Sequence, residues 1–284
     1  AKDKNDNIEI VSKSLNDKTI KMIFVGIPSE DLSTSISSYQ HYYEYIVIIL
    51  KDVTEDAKIE NSYLQEKEKT LDLYRHVIPI QLAPKVHEGD HNIAFASTIG
   101  SVLSISINNY NECLEKIDIS LASEVLLKIR ESILNCLNEI ENISMISISG
   151  GEFLFVAGLF NDEQNGRTET IDTLHFVVSF NRSFIEIIET YNLQMSLKIG
   201  IATGGPIFYK LVGDDEMSAV VSGETVALAK IVKNYCSPGQ LFLERTTFEC
   251  GEGLNIKPKQ VGEFEYQGKH NSYYSIVLEK DTEI

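Results

Sequence analysis

Acidic side chains are the first candidates for chemistry in this sequence, because carboxylate oxygens bind divalent cations and exchange protons. Asp214, Asp215 and Glu216 stand consecutively, and oxygen ligands of this kind suit Mg²⁺ or Mn²⁺. Consecutive carboxylates at a hairpin tip are nevertheless typical of a solvated loop. The six histidines are scattered without the paired spacing of a zinc site. The sequence contains neither a Walker loop nor a Gly-x-Ser-x-Gly elbow, and the acidic run is interpreted as an exposed turn.

A pair of glycines, Gly150 and Gly151, separates two short apolar runs, and Glu152 follows it directly. Two glycines between strand-like runs predict a tight β-hairpin, because glycine adopts the positive φ that such a turn needs. Neighbouring strand residues point to opposite faces, so we expect Gly151 and Glu152 to face apart unless the hairpin register slips by one residue.

Hydrophobic periodicity predicts the elements that would carry these residues. Strict alternation indicates strands over 103–107 and 193–201, and steps of three and four indicate amphipathic helices over 122–140 and 174–191. Further elements are a strand up to Gly213, a helix over 225–232, and strands near Leu241, over 261–266 and ending at Val277. The order strand, helix, strand, strand, helix, strand predicts an α+β fold of the ferredoxin-like, split βαβ type. That fold hosts many functions, so it does not decide one.

The composition limits the classes of function that the chain can have. Its 284 residues carry a net charge of −17 and have a pI near 4.8, so no basic surface for nucleic acid or anionic lipid is expected. The four cysteines include no closely spaced pair, which predicts reduced, buried thiols. No apolar run approaches the roughly 20 residues that cross a bilayer. We expect a cytoplasmic protein, or the cytosolic part of a larger membrane-bound receptor, without nucleic-acid or membrane contact.

Seven short segments in the C-terminal two-thirds resemble, in order, the class III adenylyl and guanylyl cyclase catalytic domain. They are residues 103–110 (LSISINNY), 150–159 (GGEFLFVAGL), 197–204 (LKIGIATG), 222–229 (SGETVALA), 238–241 (PGQL), 262–265 (GEFE) and 268–269 (GK). The first two fit the family patterns Leu-Phe-Ala-Asp-Ile-x-Gly-Phe and Gly-Asp-x-Tyr-Met-x-x-x-Gly-Leu. The resemblance implies a cyclase homology domain over residues 93–284.

The resemblance also implies a two-metal reaction whose ligands this sequence lacks. Family members are dimers that bind ATP or GTP at the seam, where two Mg²⁺ or Mn²⁺ ions held by two aspartates clamp the triphosphate. These aspartate positions are occupied here by Ser106 and Gly151. Glu152 and Glu112 are the carboxylates near the relevant strands, and Glu152 is the weak candidate for a replacement metal ligand.

The residues that the family draws from the partner domain are replaced as well. Ala227 stands where an asparagine orients the ribose, and Ile231 stands where an arginine stabilises charge on the phosphates. Lys230 precedes Ile231 but lies about 100° around the helix from it. The base-reading positions hold Ser147 and Val220. No catalytic residue of the family is therefore carried over.

A few positions retain side chains that suit a nucleotide. Lys269 stands at the place of a phosphate-binding lysine, with Gln267 nearby. Asn109 lies in the phosphate turn, and asparagine tolerates the left-handed conformation that glycine usually supplies there. With Ser147, these are the nucleotide-binding candidates. Tyr209 replaces a small residue at the family's dimer seam, and we expect a scaffold rather than a ligand site if Tyr209 or Ile231 fills the cavity.

The N-terminal 54 residues predict two paired strands after a polar, frayed start at 1–18. The strands cover 20–27 and 41–50, with a serine-rich loop over 29–41. The second strand runs into Asp-Val-Thr-Glu and a charged helix, which resembles the end of a PAS sensor domain. A generic β-hairpin leading into a helix is the alternative.

A linker helix is predicted over 55–77, because the segment is rich in Glu and Lys and lacks Gly and Pro. Ala57, Leu64, Leu71 and Ile78 recur every seven residues, as in a short coiled coil. Pro79 ends the helix, and 80–92 is predicted as a loop. Leu73-Tyr74, followed by Val77-Ile78-Pro79 and then Leu82-Ala83, resembles the signalling helix that precedes many eukaryotic cyclase domains.

The sequence thus predicts a partial PAS-like or hairpin segment over 1–54, a linker helix and loop over 55–92, and the cyclase homology domain over 93–284. The favoured function is a catalytically inactive, regulatory or dimerising domain, acting as a homodimer or as a heterodimer with another cyclase domain, with ATP or GTP as its possible ligand. One alternative is an active adenylate or guanylate cyclase with non-standard metal ligands, which would use Mg or Mn. An unrelated ferredoxin-like binding module is the other.

Overall fold

The computed structural model describes residues 8–15, 18–28, 43–59, 62–63, 65, 78–90, 92–140, 142–161, 165–212, 218–252, 254, 258–280 and 282. The chain forms two compact units, Ala1–Thr70 and Leu71–Ile284. Among the helices of this described part, none combines the length and the apolar character needed to cross a membrane.

The N-terminal unit is built on a three-stranded antiparallel sheet with the order β1-β2-β3. Its strands are β1 (Ile8–Leu15), β2 (Lys18–Pro28) and β3 (Tyr43–Asp52). The predicted hairpin is therefore confirmed as β2 and β3. The prediction of a frayed start was wrong, because residues 8–15 pair along β2 from Ile8 opposite Phe24 to Leu15 opposite Lys18, and a polar sequence does not reveal such a partner.

A helix, α1, begins at residue 54 directly after β3 and is described over 54–59. Its start is stabilised by Asp52, whose Oδ1 accepts hydrogen bonds from the backbone N–H of Thr54 at 3.1 Å and from its hydroxyl at 2.6 Å. Most of the predicted linker helix, including Leu64 and Leu71, lies outside the described residues, so the heptad pattern stays a prediction.

The C-terminal unit contains ten strands and six helices in its described part. The strands are β4 (Ala94–Ser97), β5 (Gly100–Asn108), β6 (Ile143–Ser149), β7 (Glu152–Ala157), β8 (Ser196–Gly204), β9 (Ile207–Val212), β10 (Ser218–Ser222), β11 (Gln240–Glu244), β12 (Lys259–Tyr266) and β13 (Lys269–Val277). The helices are α2 (Ala83–His87), α3 (Tyr110–Leu114), α4 (Ile119–Glu139), α5 (Arg167–Thr190), α6 (Glu224–Tyr235) and α7 (Arg245–Cys250).

Seven of these strands form one sheet with the order β12-β13-β11-β8-β5-β7-β6. Helix α4 connects β5 to β6 while β7 lies between them, and α5 connects β7 to β8 while β5 lies between them. This arrangement is the split βαβ plan, which confirms the α+β, ferredoxin-like prediction. The pair β8 and β11 is parallel, and the other pairs in this sheet are antiparallel.

The core lies on both faces of this sheet. Residues such as Leu103, Ile105 and Phe155 pack with the buried faces of α4 and α5, and the Phe155 and Phe176 rings lie 4.9 Å apart. Burial of large aromatic and branched side chains is the main term that stabilises such a layer. Residues of the opposite face, such as Val102, Ala202 and Val156, pack with α6 and with the sheet β10-β9-β4.

Several short elements escaped sequence prediction. The predicted loop 80–92 contains a 3-10 turn (Ile80–Leu82) and helix α2, so that prediction was wrong. Strands β4 and β10 and helices α3 and α7 were also missed. Each spans four to six residues, which is too short to establish a hydrophobic period, and their formation depends on neighbours distant in sequence.

Candidate functional site

The candidate site lies at the end of the sheet where β5 carries Ser106. Ser106 is paired with Glu152 on β7 and with Lys198 on β8. Directly opposed residues in an antiparallel pair share a face, so Glu152 and Lys198 project to the same side of the sheet as Ser106. No register slip is needed to place Glu152 there, because Gly151 belongs to the turn rather than to the strand.

Gly150 and Gly151 form the predicted two-residue turn, with φ values of +54° and +80°. The hairpin prediction is confirmed by the pairing of Ser149 with Glu152. A Cβ atom on Gly151 would lie 2.6 to 3.0 Å from three carbons of the Tyr110 ring. The space in which a side chain at position 151 would begin is therefore filled by an aromatic ring. The Tyr110 side chain is partly buried, and this burial raises the pKa of its hydroxyl.

Glu152 is bound by a lysine that the sequence did not single out. The Nζ atom of Lys233 donates a hydrogen bond to Oε1 of Glu152 at 2.8 Å, and the Lys233 side chain is only 8% exposed while that of Glu152 is 66% exposed. Lys233 lies in the last turn of α6. Gly200 on β8 allows this approach, because a Cβ atom there would collide with the backbone N of Lys233 and the backbone O of Ala229.

Helix α6 also carries the two positions that the resemblance assigns to a partner's active site. Ala227 and Ile231 are both half-buried, and Lys230 is exposed. Ile231 packs against an apolar cluster that contains Val232 and Phe264. These two side chains can neither hydrogen-bond a ribose nor compensate charge on a phosphate.

Lys269 is paired within the chain. Its Nζ atom lies 3.0 and 3.3 Å from the two carboxylate oxygens of Glu224, which is the first residue of α6. Gln267 lies in the adjacent turn with φ +50° and donates to the Tyr266 hydroxyl at 3.2 Å. The ammonium group expected to meet a phosphate thus already has a carboxylate partner.

The remaining nucleotide candidates are dispersed over the domain. Asn109 adopts the expected left-handed conformation, with φ +59°, and its side-chain amide donates to the backbone O of Gln194 at 3.2 Å. Ser147 is exposed on β6, directly after an irregularity in the pairing with β7. Val220 is exposed on β10. The described residues show no contact that joins Asn109, Ser147 and Lys269.

Tyr209 is directed into the domain rather than outward. It is almost fully buried beneath the small sheet, with its ring 5.1 Å from that of Phe95 and 6.4 Å from that of Phe160. Its hydroxyl has no hydrogen-bond partner among the described residues, and burial raises its pKa. Tyr209 therefore fills the interior behind β9.

The carboxylates do not assemble around a cation in the part of the chain that the structure describes. No group of three or more His, Cys, Asp and Glu side chains there could hold a metal ion. Glu112 lies exposed in the first turn of α3, and Asp214, Asp215 and Glu216 lie outside the described residues. With Ser106, Gly151 beneath Tyr110, and Glu152 bound to Lys233, the residues at these positions do not fit the two-metal site that the resemblance implies.

Sequence reasoning missed Lys233, Tyr110 and Glu224. Tyr110 could have been noticed because it comes directly after the phosphate turn. Glu224 could have been noticed because it follows Ser-Gly in the segment 222–229 (SGETVALA). Lys233 had no signal, because a lysine in the last turn of a helix usually interacts with the helix dipole at the surface.

Comparison with known proteins identifies the family of the C-terminal unit. Residues 97–278 match the family model described as the adenylate and guanylate cyclase catalytic domain. No curated protein sequence matches the chain.

Solved structures of cyclases share the fold. The adenylyl cyclase CyaB from P. aeruginosa has a TM-score of 0.58 at 13% identity, covering 65% of this chain and 96% of its own. The guanylate cyclase domain of RhGC from Catenaria anguillulae, in complex with GTP, has a TM-score of 0.55 at 16% identity, covering 65% and 100%. A dimeric guanylyl cyclase domain of RhoGC from Blastocladiella emersonii has a TM-score of 0.51 at 15% identity, covering 64% and 96%.

The ordered motifs, the split βαβ sheet and the family match over more than half of the chain lead to one conclusion: this chain belongs to the adenylate and guanylate cyclase catalytic-domain family.

Proposed function

We propose that this chain is a pseudo-cyclase, a nucleotide cyclase homology domain that dimerises in cyclic-nucleotide signalling without catalysing the cyclisation. The main support for this proposal is the chemistry of the two positions that the resemblance assigns to metal-binding aspartates. Position 106 offers a hydroxyl and position 151 offers no side chain, with the Tyr110 ring where one would begin. A divalent cation beside a triphosphate needs anionic oxygens, and these positions supply none.

The energetic deficit is large. Losing a metal clamp removes several kcal/mol of transition-state stabilisation, and each 1.4 kcal/mol is a factor of about ten in rate. Ala227 and Ile231 also leave this chain without the groups that one half of a cyclase dimer lends to the other. The domain is therefore proposed to act as a regulatory domain or as a scaffold for its partner domain, whether that partner is another copy or a different cyclase domain.

The outward face of the small sheet is the proposed dimerisation surface. Its cross-strand rows are Ala94, Lys210 and Val220, and Ala96, Phe208 and Ser222. Phe208 is 51% and Val220 is 54% exposed, and an exposed apolar patch of this kind marks an interaction site. The proposed partner is a second cyclase domain, either another copy of this chain or a relative. The RhoGC cyclase domain, for comparison, is described as a non-canonical dimer in one structure and, as a double mutant, as a monomer in another.

The dimer proposal is tested by light scattering after size exclusion. We expect a dimer for the wild type and a shift toward monomer for Phe208→Glu. The matched control is Ile119→Glu, because Ile119 is 83% exposed on α4 and lies outside the proposed surface. A wild-type monomer at all concentrations points to a heterodimer, whereas an equal effect of both substitutions contradicts the assigned surface.

The N-terminal unit is proposed to pass its state to the cyclase domain through the helix that begins at residue 54. The support is that α1 follows β3 directly and that Asp52 hydrogen-bonds to Thr54 at the helix start. The resemblance of 73–83 to a signalling helix is a second argument. A cytoplasmic setting, where ATP and GTP are available, completes this proposal.

An active cyclase with rewired metal ligands is the second candidate, and one observation favours it: Glu152 shares the face of Ser106. The deciding assay measures cyclic nucleotide formed from ATP and from GTP with Mn²⁺, alongside calorimetric titration of both nucleotides. We expect no product above the level of a heat-denatured sample. Product formation that disappears in Glu152→Ala, but not in the exposed control Glu249→Ala, would establish the active alternative.

A further inference from the structure

The pair Lys233–Glu152 lies beside Ser106, the position that the resemblance assigns to a metal-binding aspartate, and its burial is asymmetric. The Lys233 side chain is 8% exposed and its Nζ is 2.8 Å from Oε1 of Glu152, which is directly opposite Ser106 on the neighbouring strand. An ammonium group that is largely removed from water needs a nearby negative charge, since an unpaired buried charge costs several kcal/mol. Glu152 supplies that charge.

The surrounding backbone holds Lys233 in this position. The absence of a side chain at Gly200 lets the last turns of α6 lie directly on β8, because a Cβ atom would meet Ala229 and the backbone of Lys233. Lys233 also lies in the last turn of α6, where the negative end of the helix dipole favours a cation. Three features therefore favour an ammonium group here: the Glu152 carboxylate, the helix C-terminus and the close contact of helix and sheet.

From these contacts we infer that the ammonium group of Lys233 is a built-in cation that binds Glu152 in place of a divalent metal ion and so excludes the metal from this end of the sheet. The inference rests on the proposed function for the assignment of Ser106 to a metal position. Metal binding would then be lost for two reasons. The aspartates are missing, and the ammonium group of Lys233 competes with a metal ion for the Glu152 carboxylate.

The test measures Mn²⁺ binding by electron paramagnetic resonance, without nucleotide. Four proteins are compared: wild type, Ser106→Asp, Lys233→Met and the double variant Ser106→Asp/Lys233→Met. Methionine keeps most of the length of the lysine stem and removes its charge. We expect one Mn²⁺ site, at least tenfold tighter than the weak background of this acidic protein, in the double variant and not in Ser106→Asp alone. Equally tight binding by Ser106→Asp alone would show that Lys233 excludes no metal and would overturn the inference.

A second measurement needs no change at Lys233 and covers the case in which its variants do not fold. The melting temperature is followed against Mg²⁺ concentration at constant ionic strength in wild type and in Glu152→Gln. We expect the same dependence in both proteins, because Glu152 is already neutralised by Lys233. A Mg²⁺-dependent rise that is present in the wild type and absent in Glu152→Gln would contradict the inference. Neither readout uses cyclic nucleotide formation, so failure here differs from failure of the proposed function.

Discussion

Replacing Gly151 is expected to destabilise the domain rather than to restore a metal site. Gly151 has φ +80°, and a Cβ atom would lie 2.6 to 3.0 Å from the Tyr110 ring. The positive φ costs a non-glycine residue about 1–2 kcal/mol, and overpacking against the ring adds about 1–3 kcal/mol. We therefore expect Gly151→Asp and Gly151→Ala each to lower the free energy of unfolding by about 2–5 kcal/mol.

Gly150 is the matched control, because it precedes Gly151 in the same turn. Its φ is +54°, and no atom lies within 4 Å of the position of a Cβ. Gly150→Ala should therefore incur only the backbone term of about 1–2 kcal/mol. The unit that contains the turn spans Leu71–Ile284, and for a domain of that size 1 kcal/mol corresponds to about 2–4 °C in melting temperature.

The assay is urea denaturation followed by circular dichroism, with thermal melts as a second measure. Combining Gly151→Ala with Tyr110→Ala should recover part of the loss, with a coupling energy of about 1–3 kcal/mol between the two sites. If Gly151→Ala is no more destabilising than Gly150→Ala, the Tyr110 ring does not close this position, and the steric part of the pseudo-cyclase proposal is refuted.

Three further outcomes are expected. Both side chains of the pair Lys269–Glu224 are well exposed, so Glu224→Gln should change the free energy of unfolding by less than about 1 kcal/mol in urea titrations, and a larger loss would contradict a surface pair. Burial raises the pKa of Cys136 and of Cys236 to about 11, so iodoacetamide at pH 8 should alkylate them more than about 100-fold more slowly in the folded than in the unfolded protein; comparable rates would exclude such burial. Burial also raises the pKa of the Glu244 carboxyl group. The folded protein is therefore stabilised by the protonated form at low pH, and this stabilisation is lost as the pH rises above the ordinary pKa of a glutamate, near 4.3. Urea titrations should show Glu244→Gln gaining stability relative to wild type at pH 7 but not at pH 4, and the opposite order would disprove the direction of the pKa shift.

Much of the fold could be predicted because its longest elements show a clear hydrophobic periodicity in the sequence. Helices α4 and α5 and strands β5 and β8 carry clear periods of three to four and of two residues. Their bounds lie within about three residues of the predicted ones, except that α5 begins at Arg167, seven residues before its predicted start. Strand β1 and helix α2 could not be found in this way, since their stability comes from neighbours rather than from their own pattern. The PAS-like assignment of the N-terminal unit and the domain boundaries remain predictions.

In the candidate site, too, one part could be predicted from the sequence and another part could not. The residue types at positions 106, 151, 227 and 231 are visible without coordinates, and the resemblance alone assigns these positions to metal-binding and partner-site residues. Which charges neutralise each other is not visible there. Lys233 and Glu152 are brought together by a helix that packs on a glycine of a third segment, and Lys269 and Glu224 by the turn that joins the last two strands.

The sequence by itself thus determined the family and the sheet, because these depend on residue type and on local periodicity, and the loss of the family's catalytic groups stays a prediction from the resemblance. Tertiary structure alone decided that Glu152 shares a face with Ser106, that Tyr110 closes the position of Gly151 and that Lys233 binds Glu152. These depend on strand register and helix packing, where a shift of one residue reverses a side chain, and no pattern within one segment encodes the position of another.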